Sequence, residues 1–115
     1  MPEFIYDQSG NPVGYINNNF IHTLKGQAIG QLNGKNVHKM NGQYVGELYN
    51  GMVVDTNKPE PGRIGQRGDP GSPGYKGIPK NRGAVETEYA VVFYKLLDNA
   101  MYVDEAITSY KRKII

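Results

Sequence analysis

The stretch FIYDQSGNPVGYINNN (4–19) returns as FIHTLKGQAIGQLNGK (20–35) and again as NVHKMNGQYVGELYNG (36–51), and a fourth copy starts at MVVD (52–55) and breaks off. A fixed period in a sequence decides its architecture before single residues do. Ile5, Ile21, Val37 and Val53 share one position of the unit. Val13, Ile29 and Val45 share a second, and Ile16, Leu32 and Leu48 a third. Most are β-branched and suit a pleated, half-buried surface, so these three positions are the expected core.

The glycines divide the unit. Gly10, Gly26 and Gly42 sit in SGN, KGQ and NGQ, which read as hairpin turns because glycine supplies the positive φ that tight turns need. Asn18, Gly34 and Asn50-Gly51 mark a second turn before the next unit. Each unit is thus strand, turn, strand, turn. Gly14, Gly30 and Gly46 lie inside the second strand, between two apolar positions three residues apart. That spacing breaks strict alternation. Either a bulge at the glycine returns both residues to one face, or a neighbouring backbone comes too close for a side chain.

One hairpin is marginal in water, whereas several arranged radially or rolled into a small barrel share a centre and hide their edges. The fold class expected is therefore mainly β: a pseudo-symmetric radial or barrel-like array of 16-residue hairpins over residues 4–55. The spacing Y-D-x-x-G-N-P-V-G-Y-I, then V-H-K-x-x-G-Q-Y-V-G-E-L-Y and M-V-V-D, resembles a group of small, mostly uncharacterised bacterial proteins with a four-fold β-flower domain. The resemblance covers 4–55 well and 56–83 loosely. It implies a glycine-, proline- and asparagine-rich stretch ending in N-R-G, as Asn81-Arg82-Gly83 does, and it implies a fold without an activity. The Tyr6-Asp7-x-x-Gly10 opening is also similar to the YD-repeats of large secreted toxins, whose surrounding pattern and length differ.

From Gly62 glycine comes every third residue (GRI, GQR, GDP, GSP, GYK, GIP), with Pro70, Pro73 and Pro79 in the third slot. This is collagen register, where three chains meet at an axis that admits only glycine. Three readings of residues 56–83 stay open: a triple helix in an oligomer, a polyproline-II-like strand lying on its own domain, and a disordered linker. In 84–115, Tyr89, Val92, Phe93, Leu96 and Leu97 have helical spacing, while Val91 to Tyr94 suits a strand equally well. A further helix is expected from Asp104, with Ala106, Ile107, Tyr110 and Ile114 on its apolar side and Lys111, Arg112 and Lys113 at its end. Because Pro59 and Pro61 stop the fourth unit, its missing strand has to come from elsewhere. The candidate is the segment near Tyr89–Leu97, paired with Met52 to Asp55.

The chain has 115 residues, a net charge of +2 and no cysteine, which excludes disulfides and thiolate metal sites. No secretory signal is visible at MPEFIYDQ, and no apolar run approaches the roughly 18 residues of a membrane span. The expected location is the cytoplasm or an association with phage or secretion systems. The positive charge gathers in the middle segment, in Lys58, Arg63, Arg67, Lys76, Lys80 and Arg82.

No catalytic motif stands out, and no cofactor is expected. The metal candidates are His22 and His38, which occupy equivalent positions beside Tyr6 and Val54 and would face one another across a four-fold axis. Arg63, Arg67, Lys76, Lys80 and Arg82 are the candidate contacts to an anionic partner. The function expected is a non-enzymatic structural or protein-interaction module that binds a protein partner or itself, as a homo-oligomer. The alternative is a nucleic-acid-binding module, with Tyr15, Tyr44 and Tyr49 stacking bases. A third reading is an enzyme using the two histidines with Asp7 or Asp55.

Overall fold

Residues 3–97 are described by the computed structural model. Within it the chain forms strands β1 (Glu3–Tyr6), β2 (Pro12–Asn17), β3 (Phe20–Thr23), β4 (Ala28–Asn33), β5 (Asn36–Lys39), β6 (Tyr44–Tyr49), β7 (Met52–Asp55) and β8 (Ala90–Val91). A 3₁₀ helix, Phe93–Leu97, follows. The strands make one antiparallel sheet in which each pairs with the next in sequence.

The turn chemistry places every reversal. Gly10, Gly26 and Gly42 donate to the carbonyls of Asp7, Thr23 and Lys39 at 3.1, 2.9 and 2.9 Å. Their φ values of 91°, 103° and 95° exclude an unstrained side-chain-bearing residue. The second turn has two residues. Asn18-Asn19 (φ 51° and 64°) and Asn50-Gly51 (φ 51° and 72°) take the primed geometry that follows the twist of the strands.

Each of the first three hairpins carries one bulge. Ile5 pairs with Gly14 while Tyr6 pairs with Pro12, which leaves Val13 as the extra residue. Ile29 and Val45 are extra in the same way. The bulge therefore falls one residue before the glycine, not on it, and it turns Val13, Ile29 and Val45 toward the core. The crowding explanation holds as well. A Cβ on Gly14 would lie 2.5 Å from His22 O, one on Gly30 would lie 3.0 Å from His38 O, and one on Gly46 would strike Val54 O. In each case the obstacle is the backbone of the next unit.

The sheet curls. β1 and β7 stand six places apart in the strand order, about 29 Å in a flat sheet. Yet Tyr6 N–H donates to Gly51 O at 2.7 Å. The equivalent carbonyls of Asn19 and Lys35 accept from Leu32 and Leu48, both at 2.8 Å. At Gly51 the donor comes from β1, so the curl brings the first strand back to the β6–β7 turn.

The fourth hairpin is completed from the far side of the glycine-rich segment. Val54 pairs with Val91 and Asp55 with Ala90, and Val92 N–H reaches Val53 O at 2.8 Å. The helical reading of 89–97 gives way to the strand alternative: two strand residues, then a short 3₁₀ turn. The apolar stripe keeps its purpose, because Val92, Phe93, Leu96 and Leu97 are buried in the core. They join Ile5, Ile21, Val37 and Val53, Ile29 and Val45, with Val13, Ile16, Leu32 and Leu48 packed against them. This apolar plug sits over the strand glycines. Phe93 Cζ would lie 3.2 Å from a Cβ on Gly14, Leu96 Cδ2 3.0 Å from one on Gly30, and Val92 Cγ2 3.1 Å from one on Gly46. The helix expected from Asp104 lies outside the described residues.

Candidate functional site

His22 and His38 alternate with the core residues Ile21 and Val37, so they stand on the outer face of the sheet. Both are nevertheless buried, with exposures of 1% and 0%. The cover is the connection between β7 and β8, residues 56–89, which acts as a strap across the hairpins.

The strap follows the repeat in register. Ile64 N–H donates to Gly42 O at 3.0 Å, and Arg82 N–H to Gly10 O at 3.0 Å. Between them, Ser72 Oγ and Gly74 O lie against Gly26. The chain thus passes the three turns at positions near 64, 73 and 82. Side chains one strand step away hold the same rhythm. Gln31 Nε2 donates to Gly65 O at 3.1 Å, and Tyr15 Oη donates to Gly74 O at 2.6 Å. Gln31 and Tyr15 are one repeat apart, and Gly65 and Gly74 are nine residues apart. Nine is three Gly-x-y triplets, so the same slot meets both hairpins.

This register separates the strap from collagen. Gly71, Gly74 and Gly77 have φ of 82°, 94° and 87°, whereas polyproline-II needs about −75°. Proline followed by a positive-φ glycine is a turn dipeptide. Asp69 Oδ1, Ser72 Oγ and Asn81 Oδ1 each accept from the glycine two residues on, at 2.8, 3.0 and 2.6 Å. The strap bends around the flower, and neither a straight polyproline-II strand nor a triple-helical strand describes it after Asp69.

Beneath the strap the two imidazoles turn apart. His22 stacks on Tyr15 of β2, with centroids 5.2 Å apart and rings 15° from parallel. Its Nδ1 approaches Gly26 O at 3.0 Å. A carbonyl only accepts, so Nδ1 carries the proton. His38 meets Tyr44 of β6 edge to face at 5.5 Å. β4 separates their strands, and each ring leans toward the outer side. Each ring thus packs on a tyrosine of a different strand, and no group of three or more metal-binding side chains occurs among the described residues. Tyr15 is wholly buried, which removes it as a base-stacking platform, and burial pushes its phenol above its ordinary pKa. The Tyr44 phenol is also raised, first by burial and then by Glu47, Asp55 and Glu60.

Most of the basic candidates serve the chain itself. Arg63 Nη1 donates to Asn41 O at 2.9 Å. Arg82 donates to Asn50 O at 2.7 Å and lies 4.4 Å above the Tyr6 ring. Arg67 lies 5.7 Å from the Phe20 ring. Lys76 and Lys80 are exposed on the strap. Beside them stand residues that the charge pattern did not single out: Tyr75 and Ile78, exposed by 64% and 62%. Their apolar side chains three apart in a glycine-rich stretch were the available signal. Gln31 and Tyr15 were also missed as strap anchors. They occupy one repeat position that carries hydrogen-bonding side chains in all three complete units.

A curled antiparallel sheet of four hairpins, crossed by a strap and plugged by its own C-terminal turn, defines a small radial all-β domain. The chain belongs to the family of 4-fold beta flower proteins, which it matches over residues 3–84. That description names a fold and no activity. No curated protein and no solved structure matches the chain. No helix among the described residues is long and apolar enough to cross a membrane.

Proposed function

We propose that this chain is a non-enzymatic protein-interaction module that engages its partner through the strap. The observation that carries the reading is the exposure of Tyr75 and Ile78, 64% and 62%, three residues apart on the strap. Large apolar side chains grouped on a surface mark interaction sites, whereas single scattered ones do not. The groups that could have served catalysis point the other way. His22 and His38 are buried under the strap and lean apart, and Tyr15 is committed to Gly74 O. The nucleic-acid reading is less favoured, since Arg63 and Arg82 each donate to one of the chain's own carbonyls and Tyr15 is buried.

The test compares capture by the tagged full-length chain with capture by its Tyr75→Ser, Ile78→Ser variant, using lysate of the native source and mass spectrometry. The reading expects specific proteins, or untagged copies of the chain, held by the parent and lost by the variant while both melt alike. Equal capture by the two would overturn it. So would a salt-dependent shift of a labelled oligonucleotide by both, which would install the nucleic-acid reading instead.

A further inference from the structure

Two surfaces of this chain complement one another and do not meet within it. On the strap, Tyr75 and Ile78 are exposed, with Lys76 and Lys80 exposed beside them. The backbone between them is bare, because a Cβ on Gly74 or Gly77 would meet nothing within 4 Å. The second surface is a cleft of about 520 Å³ where the β6–β7 turn faces the end of the strap. Its walls include Tyr49 and Tyr89, edge to face at 5.3 Å, and its rim carries Glu86 and Glu88. Tyr49 is 46% exposed and both glutamates are exposed. Among the described residues the ion pair formed is Lys58 with Glu47. Lys76, Lys80, Glu86 and Glu88 therefore have no ionic partner there.

We propose that the partner is a second copy of the chain, whose strap segment Tyr75–Lys80 seats in this acidic aromatic cleft. The inference rests on the interaction reading above and names its occupant. Three of the four large apolar side chains exposed among the described residues belong to these two surfaces. Two lysines meet two glutamates, which is the charge complementarity that sets register and rejects wrong partners. Tyrosine faces also attract ammonium groups. The bare glycine backbone lets the strap approach the cleft closely. Strap and cleft are different patches, so copies exchange them reciprocally in a pair or pass them head to tail around a ring or along a chain.

Sedimentation velocity of the full-length chain over a concentration series tests this, with two charge-reversed variants. Lys76→Glu, Lys80→Glu alters the strap, and Glu86→Lys, Glu88→Lys alters the cleft. All four side chains are exposed, so both variants should melt with the parent. The parent should associate reversibly, and more weakly as salt rises. Each variant alone should sediment as a monomer. Their equimolar mixture should regain the parent's association with the two variants present 1:1, because each one's strap then fits the other's cleft. A monomeric parent at millimolar concentration, association untouched by either reversal, or no rescue on mixing would overturn the proposal. If the parent is monomeric yet captures another protein through Tyr75 and Ile78, the self-partner inference falls and the interaction reading stands. If it does neither, both fall.

Discussion

Replacing Gly30 by alanine tests whether the C-terminal turn plugs the flower. Gly30 does not have a positive φ, so the cost of a side chain there is contact alone. The new Cβ would lie 3.0 Å from His38 O and 3.0 Å from Leu96 Cδ2. Both neighbours must give by several tenths of an ångström, and overpacking of this kind costs about 1–3 kcal/mol. Leu96 is 2% exposed, and Leu96→Ala alone should cost about 2–5 kcal/mol. Removing the Leu96 methyls also removes one of the two obstacles to the Gly30 substitution. The double variant should therefore be more stable than the sum of the singles predicts, by about 0.5–3 kcal/mol. Urea unfolding of the four proteins reads this directly, with unchanged slopes required. Gly46→Ala supplies the control, since its side-chain obstacle is Val92, not Leu96. Combined with Leu96→Ala it should be additive to within about 0.5 kcal/mol. Additivity at Gly30 would mean that Leu96 does not sit over that glycine, and the plug would be wrong.

The strap supplies the other predictions. Tyr15→Phe removes the 2.6 Å bond to Gly74 O. It should cost about 1–3 kcal/mol and speed limited proteolysis within 66–80. Gly65→Ala meets nothing within 4 Å and requires no positive φ. It should change stability by less than about 0.5 kcal/mol, whereas a glycine at a triple-helix axis would tolerate no side chain. Gly26→Ala meets Ser72 Oγ at φ +103° and should cost about 1–3 kcal/mol. The Tyr15 and Tyr44 phenols are held above their ordinary pKa. Above about pH 10 the unfolded chain then binds fewer protons than the folded one. Their contribution should be complete below pH 10 and lost as pH rises further, and Tyr15→Phe should flatten the alkaline limb of the stability curve.

The repeat made the flower legible because its constraints are local and recur. Ile21 predicts Ile5, Val37 and Val53 at once, and the turn glycines state their own geometry. The missing fourth strand was legible for the same reason, since Pro59 and Pro61 break a period whose completion the fold requires. Gly-x-y was harder. Proline–glycine dipeptides in triplets serve a triple helix and a chain of turns equally well. What distinguishes them is a step of nine residues matched to a repeat of sixteen, which becomes visible once Gly65 and Gly74 are seen under Gln31 and Tyr15. The candidate site was least legible. Repetition placed His22 and His38 at equivalent positions, and alternation with Ile21 and Val37 placed them on the outer face. Their burial depended on a strap far along the chain.

The strap returns the chain so that Val91 completes the fourth hairpin beside Val54 of the same molecule. The chain has no cysteine, so a Val54→Cys, Val91→Cys pair tests it without interference. Facing residues of antiparallel strands have Cα atoms about 4.5–5.5 Å apart, within the range of a disulfide. Mild oxidation of the dilute full-length protein should give an intramolecular disulfide, seen as a faster-migrating monomer on non-reducing gels, with a raised melting temperature. A free dithiol, or crosslinking between molecules alone, would contradict the account.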